Sequence, residues 1–231
     1  MPAPAAFVLD FNGTISDDEP LLEELYCELF AGVGLELSAE RYHAEFAGLS
    51  DPAIIAGGLA LAGRAREPGL AAQIDADLTA RYLERVRDRS PVTPGAIGFV
   101  RAAAARVPVA IASGAARQII TASLARTGLE PLFTAIVSSE DVAHGKPDPE
   151  GYLRALGLLD DAREPEPPYD PASVWVVEDA TVGVLAARAA GMRVVALRTA
   201  AYDAGLAPAD LVIDRLDATL VERLFSRSTC L

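Results

Sequence analysis

The sequence predicts an α/β protein: an open parallel sheet carrying a helical module inserted after its first strand. Three observations predict it. Short runs rich in Val, Ile and Ala alternate with helical patterns, the order of βαβ units. Most of these runs are continuously apolar, as strands covered on both faces require. The stretch from Asp17 to Val92 carries no convincing strand.

The first strand is placed at Ala5–Phe11 (AAFVLDF). In the insert that follows, Leu21, Leu25 and Leu29, with Leu22, Tyr26 and Phe30, recur every four residues and make one broad apolar helix face. Pro20 suits the first turn of that helix, after an acidic cap at Asp17 or Asp18. Further helices are expected at Ala39–Phe46, Pro52–Ala62 and Gly69–Arg89, separated by breaks at Gly32–Gly34, Gly48–Asp51 and Gly63–Gly69. The sheet then resumes with strands at Val107–Ser113, Thr134–Ser139, Val174–Asp179, Arg193–Arg198 and Asp210–Asp214. Helices are expected at Ala96–Arg106, Ala116–Thr127, Glu150–Leu158, Thr181–Ala190 and Ala218–Phe225. Gly128 and Gly191 sit just past two of them, where a left-handed C-cap favours glycine. The acidic, Pro-rich segment Asp160–Asp170 reads as a surface loop, and Ser226–Leu231 as a frayed tail. The domain division expected is residues 1–16 with 93–231 as the core and 17–92 as the helical module.

Composition excludes several classes. A chain of 231 residues can bury a full core without disulfides or a structural metal. A net charge of −13 repels a phosphate backbone, so no nucleic-acid partner is expected. Cys27 and Cys230 lie far apart, which excludes a cysteine-based zinc site and suits a reducing compartment. Met1–Ala6 shows no signal-peptide pattern, and no apolar run approaches the ~18 residues of a membrane span. A cytoplasmic protein without membrane partners, monomeric or homodimeric, is expected. The basic residues are all arginine except one, Lys146.

Four expected strand ends carry polar residues, and in open α/β sheets ligands bind beyond the carboxyl ends of strands. The first strand runs into Asp10, followed by Phe11, Asn12, Gly13 and Thr14. The second ends in Ser113 and Gly114, the third is followed by Gly145, Lys146 and Pro147, and the fourth ends in Glu178 and Asp179. Together they offer a carboxylate nucleophile, a hydroxyl donor, a cation and an acidic pair for a hard divalent ion. Such a set suits a phosphoryl group, whose transfer is catalysed mainly by positioning and charge neutralisation. Glu178 and Asp179 would also serve as acidic residues at a helix start. His144 and His43 read as solvated side chains.

The segments DFNGT, ASG, GKPDP and VVEDATVGVLAARAAGM resemble, in order and spacing, the four motifs of the haloacid dehalogenase superfamily. The helical insert after the first motif is similar to the cap of its phosphatase and phosphomutase branch. The resemblance implies a Rossmann-like core with a cap domain, and a phosphatase acting on a small phosphorylated metabolite with Mg2+. It implies that Asp10 attacks phosphorus and becomes an aspartyl phosphate. It gives Asp10, the Asn12 backbone carbonyl, Glu178 and Asp179 to the metal, and Thr14, Ser113, Gly114 and Lys146 to the substrate.

Two positions depart from the family pattern. An acid/base Asp usually stands two residues after the nucleophile, and here that position is Asn12. An amide hydrogen-bonds but does not exchange a proton at neutral pH. Turnover impaired or specialised by Asn12 is one expectation; a weakly active or inactive phosphate-ester-binding relative, acting as a sensor or partner protein, is the alternative. In the insert, the turn Ala47–Asp51 resembles the specificity loop of sugar-phosphate mutases but lacks their basic residues, which disfavours a bisphosphate-handling mutase.

Overall fold

The computed structural model describes residues 3–199, 206 and 208–226. Six strands form one sheet in the order β3-β2-β1-β4-β5-β6, and every neighbouring pair is parallel. They are β1 Ala6–Leu9, β2 Val109–Ala112, β3 Ala135–Val137, β4 Val174–Glu178, β5 Arg193–Leu197 and β6 Leu211–Ile213. Each lies inside a run expected from the sequence.

Side chains alternate across the sheet, as the two-residue period of a strand dictates. Phe7, Leu9, Val109, Ile111, Trp175 and Val177 share one core face, where α5 (Pro94–Ala104), α6 (Arg117–Leu124) and α9 (Ala218–Ser226) pack. Val8, Ala110, Ala112, Val174 and Val176 form the other, under α7 (Glu150–Asp161) and α8 (Thr181–Ala189). Burial on both faces is why the strands read as unbroken apolar runs.

The insert is α1 Glu19–Ala31, α2 Ala39–Glu45, α3 Asp51–Leu61 and α4 Pro68–Val86. The apolar face of α1 buries Leu22, Leu25, Tyr26, Leu29 and Phe30, with Tyr26 stacked on Phe30 at 5.9 Å between centroids. The entering and leaving chains run together: the Asp17 N–H donates to Pro91 O at 3.0 Å and the Thr93 N–H to Ile15 O at 3.1 Å.

Two expectations need correction. Asp18 stands at the N-cap position of α1, but its side chain makes no capping bond. It turns into the protein, because buried hydroxyl and amide donors compete for it more effectively than the helix end does. His43 is paired rather than solvated, with Nε2 2.8 Å from Glu23. His144 is exposed, as expected, beside Glu150. Cys27 is half-buried and free, whereas Cys230 and tail residues 227–231 lie outside the described residues. Among the described residues no helix is long and apolar enough to cross a membrane.

Candidate active site

Chain order places β2 and β3 on one side of β1 and β4 on the other, so the direction in which successive strands are added reverses between β1 and β4. A crevice opens at such a switch point. The Asp10 N–H extends the ladder to Val177 O at 3.0 Å, which brings its carboxylate out next to Glu178. Both are buried.

Lys146, from the loop between β3 and α7, lies across this pair. Its Nζ donates to Asp10 Oδ1 and, at 2.5 Å, to Glu178 Oε1. Tyr152 on α7 donates to the same Glu178 oxygen at 2.8 Å, and its ring centroid is 5.3 Å from the ammonium. Glu178 Oε2 accepts the N–H groups of Asp179 and Ala180 at 2.9 and 3.0 Å. Glu178 therefore braces the turn before α8, whose N-terminus takes no side-chain cap, and lines the cavity. Burial alone would lower the Lys146 pKa, but Asp10 and Glu178 together outweigh it and hold the ammonium above its usual value.

Asp179 accepts from Thr14 Oγ1 at 3.2 Å through Oδ1. Its Oδ2 passes over Gly13, 2.1 Å from where a Cβ would lie, and Gly13 adopts φ +73°. Only glycine meets both demands. Asp10, Glu178 and Asp179 each bring an oxygen within 4.8 Å of the others. Burial pushes Asp10 up to about 7 against the pull of Lys146, and holds Asp179 well above the usual carboxylate range with Glu178 adding to the rise. Three buried carboxyl groups lie beside one ammonium, which bonds two of them, and the raised Asp10 and Asp179 reflect a shortage of positive charge around an all-oxygen donor set. Those features fit a hard divalent cation such as Mg2+.

Asn12 turns its Nδ2 away from the cluster, donating to Asp18 Oδ2 at 2.9 Å. Its Oδ1 consequently points to the Ser113 hydroxyl, 3.4 Å away. Asp18 also accepts from Ser16 Oγ at 2.6 Å and from Tyr82 on α4 at 2.5 Å. Ser113 and Gly114 end β2 as expected, and a Cβ on Gly114 would lie 2.7 Å from Ser50 Cα at the start of α3. Glycine there admits the insert against the strand ends.

From the insert, Glu19 and Asp51 reach the same cavity as Asp10, Asn12, Lys146 and Asp179. Asp51 accepts from Tyr26 OH at 2.7 Å and from the Ala116 N–H at 3.2 Å, and its backbone N–H donates to Gly114 O at 3.0 Å. Burial raises it to about 6. Sequence alone does not single out Glu19, because an acidic residue in a first helical turn is ordinary. The Asp17–Glu19 run gives no sign that three neighbours have three environments: Asp17 exposed, Asp18 buried, Glu19 facing the cavity. The cavity holds about 40 Å³, room for only a few waters.

A family profile, haloacid dehalogenase-like hydrolase, matches residues 4–191. The chain is 30% identical to the protein CbbY of Rhodobacter capsulatus over 197 residues, 82% of this chain and 83% of that one. It is 28% identical to fructose-1-phosphate phosphatase YqaB of Escherichia coli over 194 residues, 84% of this chain and 96% of the relative. To validoxylamine A 7'-phosphate phosphatase of Streptomyces hygroscopicus subsp. limoneus it is 34% identical over 111 residues, a match spanning 48% of either chain. Among solved structures, β-phosphoglucomutase of Clostridium difficile aligns with TM-score 0.81 at 18% identity, covering 97% of this chain and 98% of that one. A mutant CbbY of Rhodobacter sphaeroides in complex with xylulose-(1,5)bisphosphate aligns at 0.78 and 24%, covering 92% and 95%. These two likenesses show the shared fold.

Proposed function

Because the chain belongs to the haloacid dehalogenase-like hydrolases, we propose that it is a Mg2+-dependent phosphatase of a small phosphorylated metabolite, working through an aspartyl phosphate on Asp10. The observation that carries this reading is the chain's one lysine joining Asp10 to Glu178 at the sheet switch point, with Asp179 alongside. Asp10 attacks phosphorus while the ester oxygen departs. Lys146 and Ser113 hold the phosphoryl oxygens, and the backbone at Gly114 borders them. Thr14 orients Asp179 through its hydroxyl. Asp10, Asp179 and the Asn12 carbonyl would hold Mg2+, with Glu178 beside it directly or through water, and the ion would neutralise charge on the transferred group.

Residues 17–92 act as a cap on a core of 1–16 and 93–231. A cavity of about 40 Å³ is far below the ~300 Å³ of an ordinary ligand site. Substrate therefore enters when cap and core separate about the paired segments at Ile15–Asp17 and Pro91–Thr93. The names of the relatives, a fructose-1-phosphate phosphatase and a validoxylamine A 7'-phosphate phosphatase, support a sugar or polyol monophosphate. The buried Asp51 carboxyl opposes a second phosphate. The phosphatase reading includes a cytoplasmic setting.

Asn12 supports a second reading, a phosphate-ester-binding relative with little turnover. One experiment separates the two: a panel of phosphomonoesters assayed for phosphate release and covalent labelling, with Mg2+ and with chelator, on the native chain and on Asp179→Ala. The phosphatase reading expects release and label to need Mg2+ and to fall at least ~10²-fold in Asp179→Ala. Binding without label supports the second reading. Undiminished turnover in chelator removes the metal-dependent mechanism.

A further inference from the structure

A phosphatase that proceeds through an aspartyl phosphate handles two protons, one given to the leaving alcohol and one taken from water. Asn12 handles neither. With its NH2 held by Asp18, it presents an oxygen to the site, which can orient a water but not deprotonate it.

The other titratable groups lining the cavity are committed. Asp10 is the nucleophile. Glu178 spends one oxygen on Lys146 and Tyr152 and the other on two backbone N–H groups. Asp179 accepts from Thr14 and belongs to the carboxylate cluster. Asp51 is divided between Tyr26 and Ala116. Glu19 differs: one oxygen is approached by the Tyr42 hydroxyl, while Oε1 is buried and has no hydrogen-bond partner among the described residues.

We propose that Glu19 is the acid/base of this site, giving its proton to the leaving oxygen and then taking one from the hydrolytic water. The proposal rests on the phosphatase reading above. In the first half-reaction an Asp10 oxygen bonds to phosphorus and the P–O bond to the alcohol breaks. The released electron pair takes the Glu19 proton, leaving a carboxylate and a neutral alcohol. In the second, water oxygen bonds to phosphorus and passes a proton to Glu19. The bond to Asp10 breaks, and its electron pair restores the aspartate carboxylate.

The surroundings suit both steps. Asp18 and Glu23 share α1 with Glu19; Tyr42 and the Glu23-paired His43 face it from α2. Asp10 and Asp179 face it from the strand ends, with Lys146 beyond Asp10. Burial pushes the Glu19 carboxyl up to about 7, with Asp18, Asp10 and Glu23 adding to the rise and Tyr42 opposing it. Near neutral pH both forms are populated, the condition for one group to act as acid and then as base.

The test uses the full-length, Mg2+-loaded protein and Glu19→Gln. With p-nitrophenyl phosphate, whose leaving group needs no proton, the burst that forms the phosphoenzyme should survive. Its decay should slow ~10²–10⁴-fold. With a polyol monophosphate, kcat should fall by a similar factor with little change in KM. In the native chain decay should accelerate as pH rises and Glu19 loses its proton, and this limb should vanish in Glu19→Gln. If Glu19→Gln loses the burst, Glu19→Asp decides, because it keeps the carboxyl and must keep a pH-dependent decay. Decay that is unchanged in Glu19→Gln, with only a higher KM for polyol phosphates, would make Glu19 a hydroxyl-binding residue and overturn the proposal. A native chain that forms no phosphoenzyme fails earlier, at the phosphatase reading itself.

Discussion

Glu178 and Glu19 face one cavity from opposite sides and are held in opposite ways. At the strand ends, Glu178 receives hydrogen bonds from a lysine, a tyrosine and two backbone N–H groups. At the first turn of α1, Glu19 has one oxygen near Tyr42 and the other unmatched among the described residues. A carboxylate whose two oxygens are both taken up by donors is held in one position. One that is desolvated and half matched binds its proton tightly and gives it up within the working pH range. The strand ends fix Glu178 in one position, and on the proposal above the insert supplies the mobile proton.

The largest effect that would break this contrast is at Lys146. Lys146→Arg should lower kcat/KM by ~10²-fold or more, because a planar fork does not fit where a compact ammonium bridges Asp10 and Glu178. Lys146→Met should also cost about 3–5 kcal/mol of stability by stranding two buried carboxylates, measurable by denaturant unfolding. An Arg variant with half the native activity would show that the strand ends do not require a compact ammonium.

An intermediate effect sharpens the other half. The Glu19 carboxyl rises from an ordinary 4.5 to about 7 on folding, so the folded chain binds that proton more tightly than the unfolded one. The resulting stabilisation is complete below pH 4.5 and is lost as pH climbs through about 7. In chelator, Glu19→Gln should therefore match the native chain in acid and exceed it by about 1–3 kcal/mol above neutrality. Asp51, raised to about 6, adds a loss of the same sign to both proteins. Unfolding free energies across pH 4 to 8 check this, and parallel curves would mean Glu19 is not desolvated.

The same contrast explains what the sequence discloses. All six strands and the four polar strand ends are legible in it, because a parallel sheet forces continuous apolar runs and its switch point collects whatever follows them. Lys146 stands out by composition alone. Asp18, Glu19 and Asp51 do not, since their environments come from packing between distant elements: Tyr82 on α4, Tyr42 on α2, and the turn before α6. No local pattern distinguishes a buried acidic residue at a helix start from a solvated one.

The smallest expected effect is at position 12. Restoring an acid there by Asn12→Asp would set its carboxyl against Asp18 Oδ2, where the amide now donates at 2.9 Å. Asp18 is already raised by burial, against the donors Ser16, Tyr82 and Asn12. Two buried carboxyls in contact share a proton, so the new group stays largely protonated near neutral pH and makes a poor base. With Glu19 supplying the proton, Asn12→Asp should change polyol-phosphate turnover by less than ~10-fold, about 1.4 kcal/mol of barrier. Asn12→Asp with Asp18→Asn exchanges the amide and the carboxyl. The amide placed at position 18 would then donate to the carboxylate placed at position 12, while the Tyr82 hydroxyl turns to Ser123 Oγ, 3.1 Å away. That double variant should exceed Asn12→Asp in both stability and turnover. If Asn12→Asp alone raises turnover ~10²-fold, position 12 was the missing acid, and the proton does not travel through the insert.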